Sequence, residues 1–311
     1  MSKNFSEKLS EGLTAAAEST VSLAKLLMQS RRCRWAMKKR TAKRAASNSA
    51  ADSNQDGDGD MRGRELVVLG NGPSLNDLLR GDRSVLRGRD LLAVNFAART
   101  PEFFELRPRY YVMADPVFYS ATADGNVADL REALGRVDWQ MTLFVPFGAD
   151  ASAYAGNGHI AVERFNFLAV DGWRWLQRWA YGRGRGMPRP RNVLIPSLMI
   201  GLWLGYEVIY VAGADHSWMR TIEVDEENRV VSVQPHFYDD NAEEQRRVSS
   251  VYRGVRLHEV VYSFYLAFRG YHAIRRMADE RGCRIINVSR GSYIDAFERG
   301  SLEAAAPLPE R

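Results

Sequence analysis

From Glu65 onward, short apolar runs alternate with longer stretches of helical spacing. The runs are Glu65 to Leu69, Leu91 to Asn95, Tyr110 to Asp115, Met141 to Val145, Val208 to Ala212 and Arg284 to Asn287. A continuous apolar run of this length fits a strand buried on both faces, and its alternation with helices predicts a parallel sheet wrapped by them. The fold class is therefore α/β, a Rossmann-like parallel sheet with helices on both faces. Ligands of such sheets bind outside the carboxyl ends of the strands, where Asn95, Asp115, Asp215 and Asn287 fall. Thr221 to Val233, with a turn at Asp225-Glu226-Glu227-Asn228, predicts an inserted β-hairpin.

Before the sheet, Phe5, Leu9, Leu13, Ala17, Val21, Ala24 and Met28 recur at helical spacing and predict an N-terminal amphipathic helix. A basic run from Arg31 to Arg44, without an acid, follows it. The small, polar and acidic stretch from Ala45 to Gly63 reads as a linker. Three parts result: residues 1–44, helix and basic tail; 45–63, flexible linker; 64–311, the folded domain that carries the sheet. An apolar stripe followed by cations fits an interfacial helix on an anionic membrane surface; a solvated tail is the competing reading.

Composition narrows the class. The 311 residues are 45% apolar and 26% charged with a net charge of +5, ordinary for a globular protein able to bury a core. No stretch reaches the roughly 18 apolar residues of a membrane span, and no secretory signal is expected because the cations follow the apolar part. With only Cys33 and Cys283, neither a disulfide framework nor a multi-cysteine zinc site is possible. The expected location is cytoplasmic, peripheral at the inner face of the plasma membrane. No nucleic-acid partner is expected, since the cations are confined to the tail.

The candidate chemistry starts at Gly70-Asn71-Gly72-Pro73-Ser74-Leu75. A strand runs here into a glycine turn and a serine able to cap a helix, the geometry of a phosphate cradle. The pattern is neither G-x-G-x-x-G nor a P-loop, and a tight ligand-free turn is the bland alternative. The loop Gly182 to Arg191 is cationic, either a mobile cover over an anionic substrate or a solvated connector. Trp173, Trp175, Trp179 and Trp218 suit either sugar stacking or core packing. Asp56-Gly57-Asp58-Gly59-Asp60 lacks the twelfth-position carboxylate of a calcium loop.

A second motif runs from Asn192 through Pro196-Ser197 and Gly205-Tyr206 into the strand Val208 to Ala212 and Gly213-Ala214-Asp215. Together with Gly-Asn-Gly-Pro-Ser-Leu and the late stretch Arg284 to Asp295, it resembles the bacterial sialyltransferases of glycosyltransferase family 42. It also resembles the wider MptE-like superfamily, which includes the archaeal 6-hydroxymethylpterin diphosphokinase. The resemblance implies a nucleotide-sugar donor, CMP-linked, held by Gly70, Asn71, Gly72, Pro73, Ser74, Asn95, Asp115, Ser197, Gly213 and Asp215. It implies a glycan or lipid-linked glycan acceptor and an inverting transfer with no metal and no cofactor. The family base is a histidine, here His216, His236 or His258; Tyr238 is the candidate to stabilise the leaving phosphate, because His216-Ser217-Trp218 replaces an expected tyrosine. A magnesium-dependent diphosphokinase using Asp115, Asp215, Asp239 or Asp240, and a non-catalytic partner in glycan assembly, remain as alternatives.

Overall fold

The computed structural model describes residues 5–29, 65–120, 125–231 and 254–302. The elements are α1 (Phe5–Met28), β1 (Glu65–Leu69), α2 (Ser74–Arg80), β2 (Asp90–Val94), α3 (Pro101–Leu106), β3 (Tyr110–Val112), α4 (Gly125–Gly135), β4 (Met141–Pro146) and β5 (Ile160–Phe165). There follow α5 (Arg174–Gly182), α6 (Leu194–Leu204), β6 (Val208–Ala212), the hairpin β7 (Glu223–Val224) and β8 (Val230–Val231), α7 (Leu257–Asp279), β9 (Arg284–Asn287) and β10 (Glu298–Arg299).

Eight strands form one parallel sheet in the order β10-β9-β6-β1-β2-β3-β4-β5. The chain leaves β1 towards β2 and β5, then returns to place β6 on the other side of β1. The reversal puts a topological switch point at the carboxyl end of β1, where open α/β sheets bind ligands. Strand alternation divides the core: Leu66, Val68, Leu92 and Val94 face α5, α6 and α7, while Val67, Leu69, Leu91 and Ala93 face α2, α3 and α4. The predicted Rossmann-like class is observed, hairpin included.

Two strands lie outside the expected set, β5 and β10. Both are edges, and β5 alternates buried and exposed residues, so neither reads as a continuous apolar run.

Helix α1 docks on the body by a face other than its apolar stripe. Ser19 and Ser22 are buried and Leu26 joins the main core, whereas Leu13, Val21 and Met28 are exposed. Ser19 Oγ accepts from the Trp173 backbone N–H at 2.7 Å, Ser22 Oγ accepts from Asp171 N–H at 2.9 Å, and Gln29 bonds Asn166 and the Arg185 carbonyl. Small residues permit this close contact: a Cβ on Gly172, at φ 98°, would lie 2.1 Å from Ser19 Oγ.

The segment 182–191 is packed down. Met187 is fully buried, Arg185 bonds the α1 end, and Arg189 donates twice to the buried carboxylate of Asp171. These contacts tie Arg185 and Arg189 to the body, while Arg183 and Arg191 remain exposed. The basic run, the linker and the Asp-Gly repeat lie outside the described residues.

Candidate functional site

At the switch point the turns after β1 and β6 press together backbone to backbone. Gly70 N–H donates to the Ala212 carbonyl and Gly72 N–H to the Gly213 carbonyl, both at 2.8 Å. A Cβ on Gly70 would sit 2.5 Å from the Gly213 oxygen, and one on Gly213, at φ 64°, 2.4 Å from the Gly70 oxygen. The glycines are thus required by each other, across two motifs distant in sequence.

Asp215 fills the start of α2. Its carboxylate accepts from the Ser74 N–H at 3.2 and 3.3 Å and from Ser74 Oγ at 2.9 Å. Burial holds the Asp215 carboxyl above its ordinary value, opposed by those bonds from Ser74. The position that the sequence suggested for a phosphate therefore carries the protein's own anion.

The same turn is clamped from the side of β9. Ser289 Oγ accepts from Ala214 N–H at 2.8 Å, Ser292 Oγ donates to the Ala214 carbonyl at 2.5 Å, and Tyr293 N–H donates to the Asp215 carbonyl at 2.8 Å. His216, at φ 51°, is 5% exposed; its Nε2 lies 2.5 Å from the Tyr271 hydroxyl and 3.3 Å from Asn192 Nδ2. Tyr271 in turn donates to Asn192 Oδ1 at 3.0 Å, and burial pushes the His216 imidazole down to about 3, so it is neutral at neutral pH.

Two side-chain oxygens at the front of this floor stand without donors. Asn71 Nδ2 donates to the Val94 carbonyl at 3.4 Å, which sets the Asn71 amide beside Asn95. Asn71 Oδ1 and Asn95 Oδ1 are both buried atoms with no hydrogen-bond partner. Buried acceptors are normally satisfied, so an orphaned pair beside the switch point sets these two amides apart from the rest of the floor. Asn95 adopts φ 52° just past β2, a conformation that asparagine tolerates better than most residues. Behind Asn71, an apolar cleft opens between the sheet and α3, lined among others by Leu69, Leu75, Ala93, Ala97 and Phe103.

The structure thus brings together Gly70, Asn71, Gly72, Pro73, Ser74, Asn95, Gly213 and Asp215. Asp115 lies exposed at the end of β3, two strands from β1, where its Oδ1 caps a 3-10 turn through Val117 N–H. Ser197 is set apart: fully buried in α6, it donates to the Val193 carbonyl and faces the core. His258 is exposed on the first turn of α7. That helix, 23 residues long, is far longer than the strands it covers, so its first turns overhang their carboxyl ends, packed against β8 through Val230, Val260 and Phe264. His236 and Tyr238, with Asp239 and Asp240, lie outside the described residues. Among the described residues no three His, Cys, Asp or Glu side chains converge on one point.

Asn192 opens the second motif but has no assigned role in the sequence, and Tyr271 belongs to no motif. Asn192 Oδ1 also accepts from the Leu194 and Ile195 N–H groups, so the signal was a helix-capping asparagine two residues before an apolar helix. Nothing local marks Tyr271, which is an interior residue of a long helix.

No protein-family model matches the chain, and no curated protein matches it either. Among solved structures it is similar in fold to the MAf glycosyltransferase from Magnetospirillum magneticum AMB-1, at 13% identity and a TM-score of 0.45. The match covers 78% of this chain and 34% of that one, so the chain spans about a third of that protein's length.

Proposed function

We propose that this chain is a glycosyltransferase whose nucleotide-activated sugar donor binds across the carboxyl ends of β1, β2 and β6. The observation that carries the reading is the orphaned pair Asn71 Oδ1 and Asn95 Oδ1. With the carboxylate of Asp215 they make the site rich in acceptors, which suits the amino and hydroxyl groups of a nucleoside and its sugar. A cytidine presents an exocyclic amino group and two ribose hydroxyls, in keeping with the CMP-linked, acidic sugar implied by the motif resemblance. Because Asp215 occupies the start of α2, the phosphate lies away from that helix end.

In the proposed reaction a base takes the proton of the acceptor hydroxyl as its oxygen attacks the anomeric carbon. The bond from that carbon to the phosphate oxygen breaks, and its electron pair leaves with the nucleotide, inverting the centre. Of the candidate bases among the described residues, His216 is buried, whereas His258 is exposed on the first turn of α7, which overhangs the carboxyl ends of the strands. His216, buried and neutral, instead holds the Gly213 to Asp215 turn through Tyr271 and Asn192, a positioning role.

The test is a transfer assay with CMP-sialic acid and a panel of UDP- and GDP-sugars, followed by NMR, on wild type, Asn95→Gly and His258→Gln. The reading expects nucleotide release with the CMP sugar and a loss of about a hundredfold or more in His258→Gln. Turnover that requires ATP and magnesium and yields a diphosphate would replace it with the diphosphokinase reading.

A further inference from the structure

Outside the site, α1 carries exposed Leu13, Val21, Leu23, Leu27 and Met28 that the nucleotide-site reading does not use. Its body-facing side is small and polar: Ser19, Ser22 and Gln29 make hydrogen bonds, and Glu18 pairs with Arg269 at 2.9 Å. From Ser10 to Met28 the charged residues are Glu11, Glu18 and Lys25, seven apart, so all three share one row on the flank of the docked side. The opposite side, about 27 Å long at a rise of 1.5 Å per residue, carries Leu13, Ala17, Val21, Ala24, Leu27 and Met28 with no charge. Leu13 is 66% exposed, Val21 53%, and Leu27 and Met28 77% each.

The surface extends beyond the helix. Trp173, whose N–H is held by Ser19, stacks on Trp175 at 6.0 Å between ring centroids, and the two residues are 40% and 59% exposed. Arg269, the partner of Glu18, lies 5.8 Å over the Tyr265 ring, and Tyr265 stacks on the equally exposed Tyr262. A charge-free apolar helix face bordered by exposed tryptophan and tyrosine rings is the composition of an interfacial element.

We propose that this face of α1, with Trp173 and Trp175, docks the protein on an anionic lipid surface. Charge complementarity selects the occupant. In sequence the helix is followed at once by eight Lys or Arg residues between Arg31 and Arg44 with no acid, which repel a second copy of the same surface and attract anionic headgroups. The docking is independent of the reading of the nucleotide site.

The experiment is co-sedimentation of the full chain with vesicles of phosphatidylcholine alone, and with vesicles in which about a third of the lipid is phosphatidylglycerol. Binding to the anionic vesicles only is expected, weakened in high salt. Val21→Glu with Met28→Glu is expected to lower it by about tenfold or more, as is Trp175→Ala to a smaller extent. These positions are exposed, so melting temperature stays unchanged and reports that the fold is intact. Absence of binding to either vesicle, or binding indifferent to the two glutamates, overturns the proposal. So does a dimer, seen by light scattering, that the same two substitutions dissociate.

Discussion

An alanine at position 72 would carry its Cβ 2.0 Å from Asp215 Oδ2, 2.7 Å from the Gly213 carbonyl oxygen and 2.9 Å from Asp215 Cγ. Ordinary contacts of this kind lie near 3.5 Å, so the carboxylate must move by more than an ångström and release Ser74. Losing the bonds from the Ser74 N–H and hydroxyl to a charged acceptor costs about 1.5–3 kcal/mol. Forcing the paired turns apart against the Gly213 oxygen adds about 1–3 kcal/mol. Gly72→Ala is therefore expected to destabilise by about 2.5–6 kcal/mol in denaturant unfolding. In an Asp215→Ala background only the Gly213 contact remains, so the same substitution costs about 1–3 kcal/mol there and the two are coupled by roughly 1.5–3 kcal/mol. Additivity within about 0.5 kcal/mol would refute the account of why glycine stands at 72.

Further predictions concern pH, α1 and the orphaned amides. His216 is held neutral in the folded state, so below its unfolded value of 6.5 only the unfolded chain takes up the proton, and stability falls by about 1.4 kcal/mol per pH unit down towards 3. His216→Gln is expected to flatten that limb in pH-resolved unfolding, and an unchanged slope contradicts the buried neutral imidazole. Asp215 has the opposite sign: its raised folded value makes its contribution full at low pH and lost as pH rises through the carboxylate range, and Asp215→Asn removes this dependence. Gly172→Ala puts a methyl onto Ser19 and is expected to expose the α1 amides to hydrogen exchange while the sheet stays protected; protection retained in α1 argues against its docking. Asn95→Gly keeps the left-handed backbone yet removes an acceptor, so nucleotide affinity should drop about tenfold with little change in unliganded stability; an unaltered dissociation constant, by calorimetry, points the ligand elsewhere.

The interior of the sheet was legible because parallel strands buried on both faces leave continuous apolar runs, as in Leu66 to Leu69 and Val208 to Ala212. Edges carry polar residues on the open side, which hid Ile160 to Phe165 and Glu298-Arg299. The hairpin was legible from its turn residues alone. At the site, the two glycine motifs were visible but their reason was not. Gly70, Gly72 and Gly213 look like ligand-facing glycines in a one-dimensional reading, whereas the close approach they permit is to each other and to Asp215. The amphipathic pattern of α1 was legible too, though its apolar stripe faces outward. Contact with the body uses Ser19 and Ser22, whose short side chains reach the 171–173 backbone.

The most direct measurement of the central claim is thermal stabilisation of the full chain by CMP, CDP, UDP, GDP and ATP, each with and without magnesium, in wild type and Asn95→Gly. A ligand that binds only the folded state raises the transition temperature. The account predicts a rise with CMP or CDP that needs no metal and shrinks in Asn95→Gly. No response to any nucleotide, or a rise with ATP and magnesium alone, would contradict it.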